Sequence, residues 1–430
     1  MDPLAQASRV AGHGASTTME YQNERLPLPR ALASLSQRDF RIFWGSQILS
    51  LIGTWMQTVA QSWLVLQLSN SPIALGTVTA LQFLPILLFS LFGGILADRL
   101  PKRGVLLVTQ SAQMALAFVL AYLALTNQAT LGAIMIIAAC LGLVTAVDMP
   151  TRQAIVPELV GGVNLANAIA LNSAAFNSAR LIGPAVAGLA IGWFGIPACF
   201  FLNGLSFVFP IGALLIIRAG RRASVRGVGS SSVAKDLSEG LAYVRWTPPV
   251  RMVVITVAVI GTFGMNISVL VPLLARNVLS AGADGYGYLT AATGLGALVA
   301  ALTLAQIGHG VRSSMLIGSA AALGVVQITL AATTTFPLSA LELGILGFAM
   351  ISFTTLANML LQLEVPNVLR GRVMSLYTTV FAGTVPIGAL LAGFIAEHAG
   401  VDSAFLAGGV VCVLTAAFVV WRRSRVHLPV

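Results

Sequence analysis

The residues best placed to do chemistry in this sequence are charged side chains that interrupt long apolar runs. Arg180 and Glu342 each lie inside such a run, and a charge at that position needs a counter-charge, a proton or a ligand. An acid whose solvation changes between two conformations can couple to proton movement. We therefore interpret Arg180 and Glu342, which we expect to pair with each other, as candidate proton-coupling groups, with Asp148 as a further acid. Alternatives are a structural partner or an anionic ligand for Arg180, and an outward-facing position at a helix N-terminus for Glu342.

Five neutral polar side chains in the apolar runs are candidates for lining a substrate cavity. Gln57 and Gln61 share a helix face because they are four residues apart. Asn266, Thr355 and Asn358 lie in two later runs. Hydrogen bonding between helices is an equal alternative for each of these residues, so the pattern leaves both roles open.

The motifs of common enzyme classes are missing from the sequence. The four histidines lie in tails or loops, and neither H-E-x-x-H nor G-x-S-x-G occurs. Neither lysine follows a glycine, so a phosphate-binding G-x-x-x-x-G-K-[ST] loop is impossible and we expect no ATPase in this chain. The three cysteines lie within apolar runs without metal-ligand spacing. We expect no catalytic site, metal or cofactor.

The elements that position these residues are predicted to be membrane-spanning helices. Only 9% of the 430 residues are charged and 57% are hydrophobic, whereas soluble domains carry about a quarter charged residues. Apolar runs of about 20 residues, the length that crosses a bilayer, recur along the chain. The sequence therefore predicts an all-α protein in a lipid bilayer, with twelve transmembrane helices at 42–68, 73–97, 104–126, 131–149, 166–192, 197–217, 251–275, 285–307, 313–333, 337–361, 373–396 and 402–421.

Basic residues indicate how the twelve spans are oriented. If the N-terminus is cytoplasmic, 22 of the 24 basic residues fall in tails and loops on the cytoplasmic side, as the positive-inside rule requires. We expect a multi-pass protein of the cell (inner) membrane with both termini in the cytoplasm. The positive charge is spread over every inner loop, so we expect no nucleic acid as a partner.

A long polar loop and an internal repeat divide the chain into two related halves. Similar halves predict two pseudo-symmetric six-helix bundles. The predicted divisions are an N-terminal tail, a first bundle, a central loop, a second bundle and a C-terminal tail, at 1–40, 41–218, 219–250, 251–421 and 422–430. Within the loop, 235–244 is a candidate interfacial helix. The residues that line up in the repeat include Gly183 with Gly388, Gly188 with Gly393, Gly195 with Gly400 and Gly204 with Gly409.

The loop after the second span carries a known motif. It reads Gly93-Gly94-Ile95-Leu96-Ala97-Asp98-Arg99-Leu100-Pro101-Lys102-Arg103 and resembles the signature loop of the major facilitator superfamily, although Pro101 replaces a usual glycine. An acid at a membrane edge is attracted to the positive end of a helix or to an arginine. The resemblance implies that Asp98 closes an inner gate near Arg372, and that the other gating residues of the loop are Gly94, Arg99 and Arg103.

The fifth span matches the antiporter motif of the same superfamily. Gly183, Pro184 and Gly188 belong to a row of small residues with a proline, and such a row makes a smooth, kinked face on which another helix can move. Simple helix packing is the alternative. The resemblance implies a gating role for these three residues and favours export over import.

The chain as a whole is similar to the enterobactin-exporter and macrolide-efflux branch of the superfamily, the third drug:proton antiporter group. Segments that carry this similarity include Asp148-x-Pro150-x-Arg152, Pro157-Glu158-Leu159 and Gly371-Arg372-Val373. The resemblance implies gating roles for Asp148 and Arg152, and proton-coupled export of a small organic substrate such as a drug, toxic metabolite or siderophore. The alternatives are an importer of the same fold and a membrane receptor or enzyme without transport.

Overall fold

The structure is a computed structural model that describes residues 30–161, 164–218, 241–307 and 312–425, and these residues are helical apart from short turns. In the first half, a 3₁₀ turn at Arg30–Ser36 is followed by α1 (Arg38–Ser69), α2 (Pro72–Arg99), α3 (Lys102–Leu125), α4 (Leu131–Val160), α5 (Leu165–Phe194), α6 (Ile196–Ser206) and α7 (Val208–Ile216). The predicted 1–40 tail and 219–250 loop lie largely outside the described residues.

The second half repeats this order after a helical segment at 241–246, which overlaps the end of the predicted interfacial helix. Its helices are α8 (Pro248–Gly264), α9 (Ile267–Leu273, continued by a π-helical turn at Leu274–Val278), α10 (Ala283–Ile307), α11 (Ser313–Leu330), α12 (Phe336–Glu364), α13 (Asn367–Ala399) and α14 (Val401–Arg425).

The predicted all-α fold is confirmed, with small corrections to the helix bounds. Eleven segments of the described chain are long and apolar enough to cross a membrane. The first predicted span lies in α1, whose 32 residues are sufficient in length but include four glutamines. The last three residues of the predicted 1–40 tail belong to the first turn of α1, which begins at Arg38. The fourth span continues to Val160 because neither Pro150 nor Pro157 ends α4.

Turn residues end the helices on both sides of the membrane segment. We call the side of the molecule on which α1 begins the terminal end; it holds residues 38, 99–102, 160–161, 164–165 and 425. The opposite side, which holds residues 69–72, 125–131, 194–196 and 399–401, is the distal end. At the distal end, Asn70 and Asn127 take positive φ values of 48° and 54°. These residues tolerate that conformation better than most, which explains the sharp reversal of the chain there.

Two bundles with the same internal contacts confirm the predicted duplication. In the first bundle α1 packs on α5, α2 on α4 and α3 on α6, and in the second α8 packs on α13, α10 on α12 and α11 on α14. Gly195 and Gly400 end the corresponding helices with φ values of 79° and 90°. Gly183 meets α1 where its repeat partner Gly388 meets α8. Between the bundles, α5 packs on α10 and α2 packs on α13.

Candidate functional site

The first contact between the bundles is a seam of small residues in the distal half of α5 and α10. A Cβ atom added to Gly287 would lie 2.6 Å from the Pro184 carbonyl oxygen and 2.8 Å from the Gly188 Cα. On Gly294 it would lie 2.8 Å from the Leu181 Cα. Glycine therefore sets how closely the two helices approach. Pro184 and Gly188, predicted from the sequence to form a gating face, are brought together with α10.

The second contact between the bundles joins the distal halves of α2 and α13. A Cβ atom on Gly393 would lie 2.6 Å from the Pro72 carbonyl oxygen. One turn further along α13, Glu397 accepts hydrogen bonds from the Ser71 hydroxyl at 2.7 Å and from the Ile73 backbone N–H at 3.2 Å. The carboxylate thus caps the N-terminus of α2 from the opposite bundle, an arrangement that the helix dipole favours.

An aromatic pair supports the same distal closure. The rings of Trp63 in α1 and Tyr286 in α10 are stacked, with centroids 6.0 Å apart and an interplanar angle of 20°. Both side chains are buried. Aromatic pairs of this kind contribute about 0.5–1.5 kcal/mol beyond the area that they bury, so α1 adds a third apolar contact between the bundles near their distal ends.

The bundles separate toward the terminal end. Gly188, Pro184 and Leu181 form one face of α5, and the helical period carries that face on to Ser173, Ala170 and Ala166. The first group is covered by α10, whereas the second group is exposed. On α13, Ser375 and Thr379 are exposed on the face that is buried at Ala389. The described residues therefore enclose a cavity that is closed distally and open at the terminal end.

Arg180 faces this cavity from the middle of α5. Gly183 contacts α1, and Leu181 and Pro184 contact α10. Successive side chains of an α-helix are rotated by about 100° around its axis. Arg180 therefore points about 60° away from the direction of α1, into the space between α1 and α10. Its guanidinium carbon lies 5.7 Å from the centroid of the Trp55 ring. It forms no ion pair with a described carboxylate.

The predicted pair of Arg180 and Glu342 is not formed in this conformation. Gly344 and Gly347 lie on the face of α12 that contacts α10. By the helical rotation of about 100° per residue, Glu342 points about 170° away from the centre of this face. The carboxylate is therefore turned into the second bundle rather than toward α5. It is only 8% exposed, and its Oε2 atom has no hydrogen-bond partner among the described residues. The alternative for Glu342, an acid near a helix N-terminus that reaches outward, is not what the structure shows, because the side chain is buried although it lies near the start of α12.

Three of the five predicted cavity residues are buried inside the bundles instead. Gln57 is buried and accepts a hydrogen bond of 2.7 Å from the Asn203 side chain of α6. Asn266 is buried at the break between α8 and α9, where its amide donates to the Thr262 carbonyl oxygen at 2.7 Å. Gln61 is buried on the Gln57 face. The alternative of hydrogen bonding between helices is correct for Gln57, because helix rotation turns its amide toward α6.

Two other predicted residues do lie beside the cavity. Thr355 and Asn358 are partly exposed in the terminal half of α12, and they continue the face that meets α10 at Gly347. Asn358 accepts a hydrogen bond from Gln362, one turn closer to the terminal end. Gln362 was not predicted, although its four-residue spacing from Asn358 was a usable signal.

A buried ion pair connects the terminal halves of α1, α3 and α4. Asp148 is 2% exposed and forms an ion pair with Arg152, one turn later in α4. The Thr109 hydroxyl donates to Asp148 at 2.7 Å, and Arg152 donates to the Gln47 side chain at 2.6 Å. The sequence pattern indicated Asp148 and Arg152, but Thr109 and Gln47 carry no local signal. The network fixes α4 against both neighbouring helices.

The motif loop contributes a second ion pair, which was not predicted. Lys102 is 3% exposed and donates to Glu158 of α4 at 2.6 Å. Gly93 is the close-packed glycine, because its added Cβ would meet the Ala146 carbonyl oxygen, whereas a Cβ on Gly94 would have no atom within 4 Å. Close packing of α2 against α4 therefore depends on Gly93 and not on Gly94, the glycine predicted to take part in gating.

The remaining gating residues lie near the terminal end. Arg103 donates to the Leu215 carbonyl oxygen at 2.8 Å, and Arg99 is exposed at the end of α2. The side chain of Asp98 lies outside the described part of the structure, so the predicted contact with Arg372 in α13 stays a prediction. Among the described residues, no group of three or more His, Cys, Asp or Glu side chains is arranged to hold a metal ion.

Comparison with known proteins gives consistent similarities over nearly the whole chain. A family model of the major facilitator type, described as transmembrane secretion effector, matches residues 30–429. The chain is 25% identical over 398 residues to the Staphyloferrin A transporter of Staphylococcus aureus (strain NCTC 8325 / PS 47). This match covers 90% of this chain and 98% of that protein. It is 27% identical over 365 residues to the multidrug efflux pump Tap of Mycolicibacterium fortuitum, covering 83% and 88%.

A solved structure shows the same fold. The crystal structure of the nucleoside transporter NupG matches with a TM-score of 0.73 and covers 90% of this chain and 99% of that one. The sequence identity is 13%, so this likeness concerns the arrangement of helices and not the substrate.

Proposed function

The chain belongs to the transmembrane secretion effector family of the major facilitator superfamily, and from this membership we propose that it exports a small organic solute by alternating access, driven by protons. A membrane transporter of this fold exposes its cavity to one side at a time. The observation that carries the proposal is the continuous face of α5, which is covered by α10 at Pro184 and Gly188 and exposed at Ser173.

The distal contacts are suited to opening and closing. They include the two glycine seams, the Trp63–Tyr286 pair and the Glu397 cap on α2, and each of them joins a residue of one bundle to a residue of the other. Surface hydrogen bonds and small-residue contacts have modest free energies, so a ligand with differential affinity for the two states can shift the equilibrium. We propose that the bundles rock about the cavity, with the distal contacts as the outer gate and Asp98 at the inner gate.

The terminal end is proposed to face the cytoplasm of the cell. This orientation is supported by the sequence, in which 22 of the 24 basic residues fall in the tails and loops predicted to be cytoplasmic, as the positive-inside rule requires. A reporter enzyme that is active only outside the cytoplasm should be active when fused after Asn127 and silent when fused after Ser230. The reverse pattern would contradict the orientation and, with it, the direction of export.

Glu342 is the proposed proton carrier. Its buried carboxylate has an oxygen without a hydrogen-bond partner among the described residues, and the Ser339 hydroxyl on the same helix face is likewise unpartnered. A proton on Glu342 would remove a charge whose burial is costly. Export by Glu342→Gln should therefore no longer respond to a protonophore, while a Ser339→Ala variant keeps the response. A Glu342→Gln variant that stays protonophore-sensitive would exclude this role.

Cellular accumulation tests the proposed direction of transport. A transporter-deficient bacterial host expressing this chain should accumulate at least one compound from a panel of antibiotics, dyes and siderophore precursors to a lower level than the same host without it. A protonophore should abolish the difference. Higher accumulation in the expressing cells would favour the importer of the same fold, and equal accumulation of every compound would contradict transport of these classes.

A further inference from the structure

We propose that Arg180, Trp55 and Phe176 form a binding subsite for the carboxylate end of an amphipathic organic anion, an inference that rests on the proposed function and specifies its substrate class. Arg180 is residue 16 of the 30 in α5, so it lies near the middle of the membrane segment, where a cation is retained only for a purpose that offsets its cost. The Arg180 side chain points between α1 and α10 and therefore faces the cavity.

The guanidinium has no counter-charge in the described part of the structure. Asp148 is already paired with Arg152, and Glu342 is turned into the second bundle. The cation is instead placed over an aromatic ring, at 5.7 Å from the centroid of Trp55. A contact of this kind leaves the N–H groups at the edge of the guanidinium plane available. Those donors match the two oxygens of a carboxylate.

The apolar part of the subsite lies beside the guanidinium on the cavity side. Phe176 is one turn before Arg180 on α5 and is 46% exposed, although it is an aromatic residue. Its ring meets Trp55 edge to face, with centroids 5.7 Å apart. Ligand sites combine apolar walls with a few placed polar groups, so the two rings would hold the hydrophobic body of the anion while Arg180 binds its charge.

The subsite is reached from the terminal end. Ile169 and Ser173 precede Phe176 on the cavity side of α5, and both are exposed. Beyond Arg180 the same helix is covered by α10 at Pro184. An anion entering from the terminal end would therefore meet Arg180 at the closed end of the cavity. Distal opening would then expose the bound anion to the other side.

The test compares two nearly isosteric probes, 1-naphthaleneacetate and the uncharged 1-naphthaleneacetamide, by equilibrium dialysis against the purified full-length protein in nanodiscs. The wild type should bind the carboxylate at least tenfold more tightly than the amide. Arg180→Gln should remove this preference and Arg180→Lys should retain part of it. Trp55→Ala should weaken the binding of both probes. Arg251→Gln is the matched control, because Arg251 lies in the first turns of α8, where it donates to the Arg245 carbonyl oxygen, and it should keep the full preference.

Equal binding of the two probes by the wild type, or an undiminished preference in Arg180→Gln, would overturn the subsite. Thermal unfolding of each variant shows whether it is folded. If Arg180→Gln does not fold, the carboxylate preference of Arg180→Lys tests the subsite instead. The assay requires no transport. A lost preference with export of uncharged compounds intact supports the subsite, whereas a preserved carboxylate preference without any export would contradict only the proposed function.

Discussion

At the residue scale, the charged groups of this protein divide into those that hold helices together and those left for a ligand or a proton. Asp148 and Lys102 are buried and ion-paired with side chains of α4. Arg180 and the Oε2 atom of Glu342 lack such partners in the described residues. Because uncompensated charge is costly inside a membrane, the second group identifies where function is to be sought.

Neutralising Asp148 should destabilise the first bundle. Asp148→Asn leaves Arg152 without its counter-charge, and we expect a loss of roughly 1–3 kcal/mol, less than the ~3–5 kcal/mol of a fully buried pair because the Arg152 side chain is 25% exposed. Thermal unfolding in detergent measures the change. Thr109→Val removes only one hydrogen bond to the same carboxylate and should cost about 1 kcal/mol. Equal stability of Asp148→Asn and wild type would show that the pair is not structural.

At the element scale, the seam between α5 and α10 should tolerate no added side chain. Gly287→Ala places a methyl group 2.6 Å from the Pro184 carbonyl oxygen, so the two helices must separate and distal closure is impaired. We expect export to fall at least tenfold in the accumulation assay. Gly192→Ala in α5 is the matched control, since its methyl group meets no atom within 4 Å. Full export by Gly287→Ala would show that close approach of these helices is unnecessary.

The Glu397 cap on α2 should contribute to keeping the distal gate closed. Glu397→Gln removes the attraction between a negative charge and the helix N-terminus, which is worth about 0.3–1 kcal/mol at an exposed site and corresponds to about a two- to fivefold shift in the closed population. In a variant lacking the three native cysteines, Ala291→Cys reports on the seam, because Ala291 is buried in α10. Its labelling by a membrane-impermeant maleimide should accelerate two- to fivefold.

Glu364→Gln, at the terminal end of α12, is the control for this measurement and should leave the labelling rate unchanged. If Glu397→Gln also labels at the unmodified rate, the contact is a surface hydrogen bond without influence on the gate. A decrease in labelling would mean that the carboxylate favours the open state.

The helices themselves could be predicted from the sequence far better than the site. Apolar runs and turn residues such as Asn70 and Gly195 act locally, and the repeat is visible because Gly183 and Gly388 keep their spacing in both halves. The rotation of each helix is set by partners far along the chain. Gln57 meets Asn203, and Glu397 meets Ser71 across 326 residues. For this reason the predicted Arg180–Glu342 pair is not formed.

At the scale of the whole molecule, two similar bundles meet distally and separate at the terminal end. The two seams that hold this state correspond to each other in the repeat, since Gly188 meets α10 and its repeat partner Gly393 meets α2. An arrangement with two such seams has a symmetry-related alternative, in which the distal ends open and the terminal ends close. We therefore expect a rocking motion that couples the two ends.

Distance measurements between spin labels test this coupling most directly. One label pair lies at the distal end, at Gln128 and Thr334, and the other at the terminal end, at Leu100 and Glu364; all four positions are exposed. In a background without Cys140, Cys199 and Cys412, double electron–electron resonance gives both distance distributions. Introducing Gly287→Leu, which wedges the α5–α10 seam, should lengthen the distal distance and shorten the terminal distance. Distances that both stay unchanged, or that both increase, would contradict alternating access by rocking bundles.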